Sequence, residues 1–491
     1  MSKSMGNSIS PQEHLLYESA RQRKDAGFDG VFYFAVKTTG IVCRPSCPAP
    51  VAKSENVILY KQLKYAFEDG FRPCHRCRPE SIHYVDEAEQ IVSKAMAMLA
   101  SGGLRGADSM MMAKALFVSE RRLRQAFQAV LGVTPVRMLN HDRILRAVEA
   151  VCHTRQQITA IAFEAGFHSV RQFNAQFKAI TGYVPSALRE ESEALQLPMP
   201  SITLRLKANN AAGLETALDF MKPRMMQGIE SMTGHCYQRT YHLSSGNGYI
   251  SVYPGEATDT LMLQVHTLDF ESIYDVYWRV RRMFDLDAPL ADISAFLSRF
   301  ELLASGFINQ NVPRLPVAFD AFEFVVRAIL GQQITVKAAT TLAQRIAVRA
   351  DFKTPPSFPE GLTHFFPNVK ESEALALDGL GITSTRQATL KRVVIALLNG
   401  DFSLSPYQRY DAFHKQFGAI KGIGDWTVNY VAMRGLGIKD SFPASDLGVM
   451  NVMAAKLGAE KLTAKAIEHI AEDWKPYRAY ATLCLWQHYP G

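Results

Sequence analysis

Four of the seven cysteines fall in two close pairs, Cys43 with Cys47 and Cys74 with Cys77, with 26 residues between the pairs. Thiolates are soft ligands, and four of them complete a tetrahedron around zinc. Buried or redox-active thiols are the competing reading, but paired spacing rarely arises without a ligand. A segment of this size has little core of its own, so bound metal must supply part of its folding energy. Around the cysteines, Phe32-Tyr33-Phe34-Ala35-Val36 reads as a strand, Thr38-Thr39-Gly40 as a turn, residues 57–60 as a strand and 62–69 as a helix ended by Gly70. Cys152, Cys236 and Cys484 stand alone and read as packing residues. An odd cysteine count with four clustered favours metal over a disulfide framework.

An internal repeat with a fifty-residue offset constrains the next segment. Ala115 and Phe117 recur as Ala165 and Phe167, Ser119, Leu123 and Phe127 as Ser169, Phe173 and Phe177, and Gly132 and Pro135 as Gly182 and Pro185. Each copy reads as helix, turn, serine N-cap and helix, which fits two helix-turn-helix units. The pairs Leu123/Phe127 and Phe173/Phe177 must face their cores. The opposite faces carry Arg121, Arg122 and Arg124 in one copy and Arg171, Gln172 and Asn174 in the other. Those residue types reach base edges or phosphates in a major groove. A solvated polar face is the competing reading for one helix, and two copies in register on a basic segment weigh against it. Residues 1–190 hold 25 Lys and Arg against 17 Asp and Glu, whereas 191–491 hold 29 against 30. The net charge of +7 therefore belongs to the first part, as nucleic-acid contact requires.

Beyond a linker at 191–200, strand-like runs at 202–207, 235–243, 249–253 and 261–266 predict a small antiparallel sheet, and helical patterns dominate from Ile273 onward. There, Lys421-Gly422-Ile423-Gly424-Asp425-Trp426-Thr427 sets two glycines around an apolar residue at the start of an amphipathic helix. Glycine permits a tight turn and a close backbone approach. Free N–H groups at a helix N-terminus suit a DNA phosphate, so Lys421, Gly422, Gly424 and Thr427 are candidate DNA contacts. Further on, Asp446 offers a carboxylate; beside Ser445 and ahead of Leu447-Gly448-Val449 it also reads as an N-cap. Trp426, Tyr430 and Trp486 taken alone read equally as core aromatics. No apolar run reaches eighteen residues and no secretory start is seen, so membrane insertion and export are not expected.

Residues 32–47, with Phe71-Arg72-Pro73-Cys74 and Cys77-Arg78-Pro79, resemble the N-terminal domain of the Ada DNA-repair regulators. Local sequence alone favours a purely structural zinc. The resemblance implies instead that Cys43 takes a methyl group from a DNA methylphosphotriester. Zinc keeps such a thiol deprotonated at neutral pH. The repeat resembles the AraC-type DNA-binding domain that follows in Ada. Nearly all of 200–491 resembles the AlkA-type helix-hairpin-helix 3-methyladenine glycosylases. The resemblance rests on Phe319-Asp320-Ala321-Phe322-Glu323, Arg327-Ala328-Ile329-Leu330-Gly331-Gln332, the hairpin, Pro443-Ala444-Ser445-Asp446, and Trp474-Lys475-Pro476-Tyr477-Arg478 with Tyr480-Ala481. It implies that Asp446 stabilises a sugar oxocarbenium or orients water. It also implies that Trp426, Tyr430 and Trp486 line or border a pocket whose ring faces attract a cationic alkylated base. Bifunctional members of that superfamily carry a lysine where Trp426 stands, which implies cleavage by water without strand scission. Two departures stand out: Lys421 replaces the usual hairpin proline, and Gln333 falls near the apolar wedge. Pro73-Cys74-His75-Arg76 copies the active-site tetrad of O6-alkylguanine methyltransferases, but Cys74 pairs with Cys77 as a ligand, so that repair is not expected.

The expected architecture is multidomain α+β: a zinc domain at 1–85, a double helix-turn-helix at 86–190, a sheet domain at 201–285 and an all-α helix-hairpin-helix glycosylase at 286–491. The expected function is DNA alkylation repair and its regulation. One zinc ion, structural and thiolate-activating, and no organic cofactor are expected. The expected partners are damaged and promoter double-stranded DNA, with RNA polymerase beside them, for a monomer in the bacterial cytosol or nucleoid. The rival is a DNA-binding regulator with structural zinc and a C-terminal half that holds DNA without catalysis.

Overall fold

A four-stranded sheet carries the cysteine pairs: β1 (Tyr33–Val36), β2 (Ile41–Cys43), β3 (Val57–Tyr60) and β4 (Arg72–Pro73), in the order β3-β1-β2-β4. The computed structural model describes residues 9–487, except 10, 26, 27, 30, 78, 80–86, 101, 105, 132, 182, 193–198, 407 and 409. Arg78, Gly132, Gly182, most of the 191–200 linker and the junction near 85 therefore lie outside the described residues. Internal contacts divide the chain into two units. One comprises 1–85, 289–313 and 438–491, and the other 86–288 and 314–437.

In the first unit, β1 and β2 form a hairpin that places Phe34 opposite Cys43, and Gly40 closes its turn at a φ of +66°. The core under this sheet is small: Ala35, Val42, Tyr60 and Ala66. The helix foreseen after β3 is Leu63–Glu68, and Gly70 follows it at a φ of +86°. The same unit holds the helices Leu290–Leu297, Leu447–Lys456, Ala464–Ala471 and Arg478–Trp486.

The second unit contains the repeat and the larger sheet. In the first copy, Asp108 caps the helix Ser109–Ala115 and Ser119 caps Glu120–Val130, its side chain accepting from Arg122 N at 3.2 Å. In the second copy, Ile158–Glu164 leads to Val170–Thr181, and Ser169 Oγ accepts from Gln172 N at 3.1 Å. Leu123, Phe127, Phe173 and Phe177 are fully buried, as the spacing requires. Strands β5 (Ser201–Lys207), β6 (Glu230–Thr233), β7 (Cys236–Leu243), β8 (Gly246–Pro254) and β9 (Thr260–Thr267) form an antiparallel sheet in the order β5-β9-β8-β7-β6. The edge strand β6 and the helix Leu214–Met221 were not foreseen. Glu230 on β6 is buried: it accepts from Tyr237 Oη at 2.5 Å and from Met226 N at 2.9 Å, near Arg239 and Arg327. The first copy shares one continuous core with the sheet, in which Leu123, Phe127 and Met138 join Leu204, Val265 and Tyr277. The Tyr277 hydroxyl donates to Val130 O across that seam. The second copy has a core of its own around Ile161, Phe173, Phe177 and Leu188.

Candidate metal centre and carboxylate site

Parallel pairing of β2 with β4 brings the two cysteine pairs together. Ile41 lies opposite Arg72 and Val42 opposite Pro73, so Cys43 ends one strand where Cys74 follows the other, and Cys74 N donates to Val42 O at 3.0 Å. A turn returns Cys47, whose N donates to Arg44 O at 3.1 Å, and the Arg44 guanidinium donates to Cys77 O. All four cysteines are buried, and their sulfurs lie within 4.8 Å of one another. Ligands of a tetrahedral zinc thiolate site stand about 2.3 Å from the ion, a spacing such a cluster can meet with small adjustments. Electrostatics agree. Hydrogen bonds from Cys43 and Cys77 hold the Cys47 thiol far below its usual range, while the partner Cys47 pushes Cys43 far above it. A divalent cation held among the four sulfurs favours their thiolate forms. Asp29 ties the loop between Cys43 and Cys47, accepting from Ser46 N at 3.0 Å and Ser46 Oγ at 2.5 Å.

The hairpin joins Tyr410–Gly418 to Asp425–Arg434. Gly422 has a φ of +99°, and a Cβ there would lie 2.1 Å from Thr389 Oγ1, so only glycine fits. Gly424 is the N-cap of the second helix, with no side-chain cap and nothing within 4 Å of a Cβ position. Ile423 is buried, whereas Lys421 is exposed and its carbonyl accepts from Arg392 at 2.8 Å. Thr427 is buried, and its hydroxyl accepts from Gln332 Nε2 at 3.0 Å, so its side chain braces the hairpin from inside. Gln332 Nε2 also donates to Gly422 O at 3.2 Å, and its own carbonyl accepts from Arg386. The sequence shows no role for Gln332, because its partners are some ninety residues distant. Its neighbour Gln333 is exposed with a φ of +57°, a strained state for a non-glycine residue.

Asp446 realises the capping reading. It is the N-cap of Leu447–Lys456, with Oδ1 accepting from Val449 N at 3.2 Å. The same Oδ1 accepts from Trp486 Nε1 at 2.9 Å, a link the sequence did not indicate. Both residues belong to the first unit. In the second unit, Trp426 and Tyr430 stack with ring centroids 4.8 Å apart, and Phe324 lies 5.2 Å from Tyr430. On the helix-turn-helix faces, Arg121, Arg124, Arg171 and Gln172 are exposed and Arg122 and Asn174 half-buried. Asn174 Oδ1 is shielded from solvent with no hydrogen-bond partner.

Comparison with known proteins finds three matched families along the chain: the metal binding domain of Ada over residues 17–80, a helix-turn-helix domain over 112–191 and the AlkA N-terminal domain over 203–320. A probable bifunctional transcriptional activator/DNA repair enzyme AlkA of Mycobacterium tuberculosis is 34% identical over 478 residues, covering 95% of both chains. The chain belongs to the bifunctional Ada–AlkA family. The DNA-3-methyladenine glycosylase 2 of Escherichia coli is 29% identical over 270 residues, 55% of this chain and 91% of its own. The 3-methyladenine DNA-glycosylase structure from Archaeoglobus fulgidus matches 58% of this chain and 97% of its own, at 21% identity and a TM-score of 0.50, which supports the fold alone. The cysteine cluster of this Ada–AlkA protein falls within the matched metal-binding domain, and it is a site for one zinc ion. The hairpin and Asp446 lie beyond residue 320, where the full-length relative supplies the likeness. Among the described residues, no helix is long and apolar enough to cross a membrane.

Proposed function

We propose that this Ada–AlkA chain repairs alkylated DNA in two ways and uses one of them to regulate transcription. The helical half hydrolyses the N-glycosidic bond of alkylated bases such as 3-methyladenine. The observation that carries this reading is the grip on Asp446: Trp486 Nε1 and Val449 N both donate to Oδ1, fixing the carboxylate in one orientation. A fixed carboxylate can face the developing sugar cation without reorganising. Trp426 and Tyr430 supply a stacked aromatic face for a base made cationic by alkylation. The exposed backbone at Gly424 takes a phosphate with Lys421 beside it. Gln333, exposed at a φ of +57°, stands near the place where an apolar wedge would enter the opened base stack. Trp426 provides no amine, so water cuts the bond. On duplex DNA containing 3-methyladenine the product should keep intact abasic strands until alkali is added; enzymatic nicking would contradict this.

The amino-terminal half accepts methyl groups. Zinc, when bound by Cys43, Cys47, Cys74 and Cys77, keeps the thiols deprotonated. Cys43 Sγ then attacks the methyl carbon of a DNA phosphotriester. The S–C bond forms, the C–O bond breaks, and the phosphodiester leaves as an anion. The phosphotriester is uncharged, so it approaches the thiolates where an ordinary phosphate is repelled. No thiol is regenerated, so each molecule reacts once. The formal charge of the loaded site changes from about −2 to about −1, which weakens repulsion from the duplex. Arg121, Arg122, Arg124, Arg171, Gln172 and Asn174 then read a promoter, and RNA polymerase is the downstream partner. The functional divisions are 1–85, 86–190, 201–285 and 286–491, in a cytoplasmic monomer.

A further inference from the structure

The amino-terminal segment is packed against the helix that ends in Trp486. Phe28 is fully buried, and its ring meets Phe296 at 6.4 Å and Tyr477 at 5.8 Å, both edge-on. From its own segment it meets Tyr17 at 6.4 Å and Phe32 at 6.1 Å. Beside these rings the Tyr477 hydroxyl donates to Asp25 Oδ2 at 2.6 Å, with both residues buried. Burial, and then the Asp25 carboxylate, push the Tyr477 hydroxyl well above its ordinary range, so it stays a donor. Such edge-on packing around one buried polar pair is specific to orientation and costly to separate. Tyr477 is the N-cap residue of Arg478–Trp486. On the other side, Asp29 follows Phe28 directly and holds the Cys43–Cys47 loop through Ser46. Metal loop, buried contact, helix and Asp446 are thus joined in unbroken order within one unit.

We propose that the zinc-binding segment is a brace in cis for Arg478–Trp486, so that metal loading and the Asp25–Tyr477 contact set how firmly Trp486 holds Asp446. Its effect on base excision rests on Asp446 being the catalytic carboxylate, while the brace itself does not. Tyr477 and Phe28 act as positioning residues through Trp486.

The test uses the full chain, zinc-loaded or stripped by a chelator, with amide hydrogen exchange followed across Arg478–Trp486. Zinc removal should speed exchange there by roughly tenfold or more, because the brace loses its own fold. Tyr477→Phe should retain one zinc by elemental analysis, raise exchange in the same helix by a smaller factor and lower excision in parallel. Unchanged exchange in Arg478–Trp486 after zinc removal, with lost protection confined to residues 31–77, would overturn the proposal. If exchange rises while wild-type protein releases no base, the brace stands and the reading of Asp446 falls.

Discussion

At Gly422 a side chain is excluded twice, by a φ of +99° and by Thr389 Oγ1 only 2.1 Å from where a Cβ would lie. Gly422→Ala should cost about 1–3 kcal/mol of stability and weaken DNA binding, readable by thermal unfolding and by titration with duplex DNA. An alanine variant with wild-type stability and affinity would remove the hairpin from the account. Asp446→Asn keeps shape and removes charge. It should retain DNA binding and slow release of 3-methyladenine or 7-methylguanine by about 100-fold or more, and undiminished release would eliminate Asp446. Both residues were legible because glycine spacing and a following carboxylate are local signals. Their fixings were not: Thr389, Gln332 and Trp486 reach them from 33 to 90 positions away, and one-dimensional spacing carries no such distance. The two readings of Asp446, cap and reactive carboxylate, need not exclude each other, since a single oxygen serves Val449 and Trp486 together.

Strands with runs of apolar and aromatic residues were read correctly, and the edge strand that opens on a buried carboxylate was not. Strands β5 and β9 alternate buried and more exposed positions and β7 and β8 carry apolar and aromatic runs, whereas β6 opens on a buried Glu230 that looks like a solvent position. Its setting includes Arg239 bound to Glu323 at 2.6 Å, both buried. Arg239→Met should destabilise the second unit by about 3–5 kcal/mol in urea unfolding, because Glu323 loses its closest cation. The repeat was legible as two helix pairs, but the seam that fuses its first copy to the sheet was not. His141 lies in that seam beside Phe270, at 6.3 Å between rings, with Nε2 lacking a hydrogen-bond partner. Burial, with Arg137 adding to it, lowers its pKa from 6.5 to about 3. As pH falls below 6.5 the unfolded chain takes a proton that the folded chain refuses until about pH 3. Stability is therefore complete above pH 6.5 and declines by about 1.4 kcal/mol per pH unit within that window. His141→Gln should make this acid limb shallower by up to one proton; an unchanged slope between pH 6.5 and 4 would contradict the assignment.

For the whole molecule, the order of parts was legible because each carries its own signal: cysteine pairs, repeat, alternating strands, hairpin. How the chain groups them was not, since 289–313 and 438–491 join the cysteine segment, while 314–437 joins the repeat and sheet. Charge belongs to this scale as well. The basic excess lies in residues 1–190, and the methyl uptake proposed for Cys43 would remove one negative charge from the same half. Methylated protein should therefore bind its promoter more tightly than unmodified protein, most visibly below about 0.1 M salt. Equal affinity at matched low salt would leave Cys43 as a repair residue only. The most direct measurement incubates the full chain with excess methylated duplex DNA and follows protein mass and released bases over time. The expected result is one methyl group per chain, located on Cys43 and absent in Cys43→Ser, reached once and then constant. Free 3-methyladenine should meanwhile accumulate over many turnovers, and about 100-fold or more slowly in Asp446→Asn. A protein whose mass never changes, or which releases no base while binding the same DNA, would contradict the account.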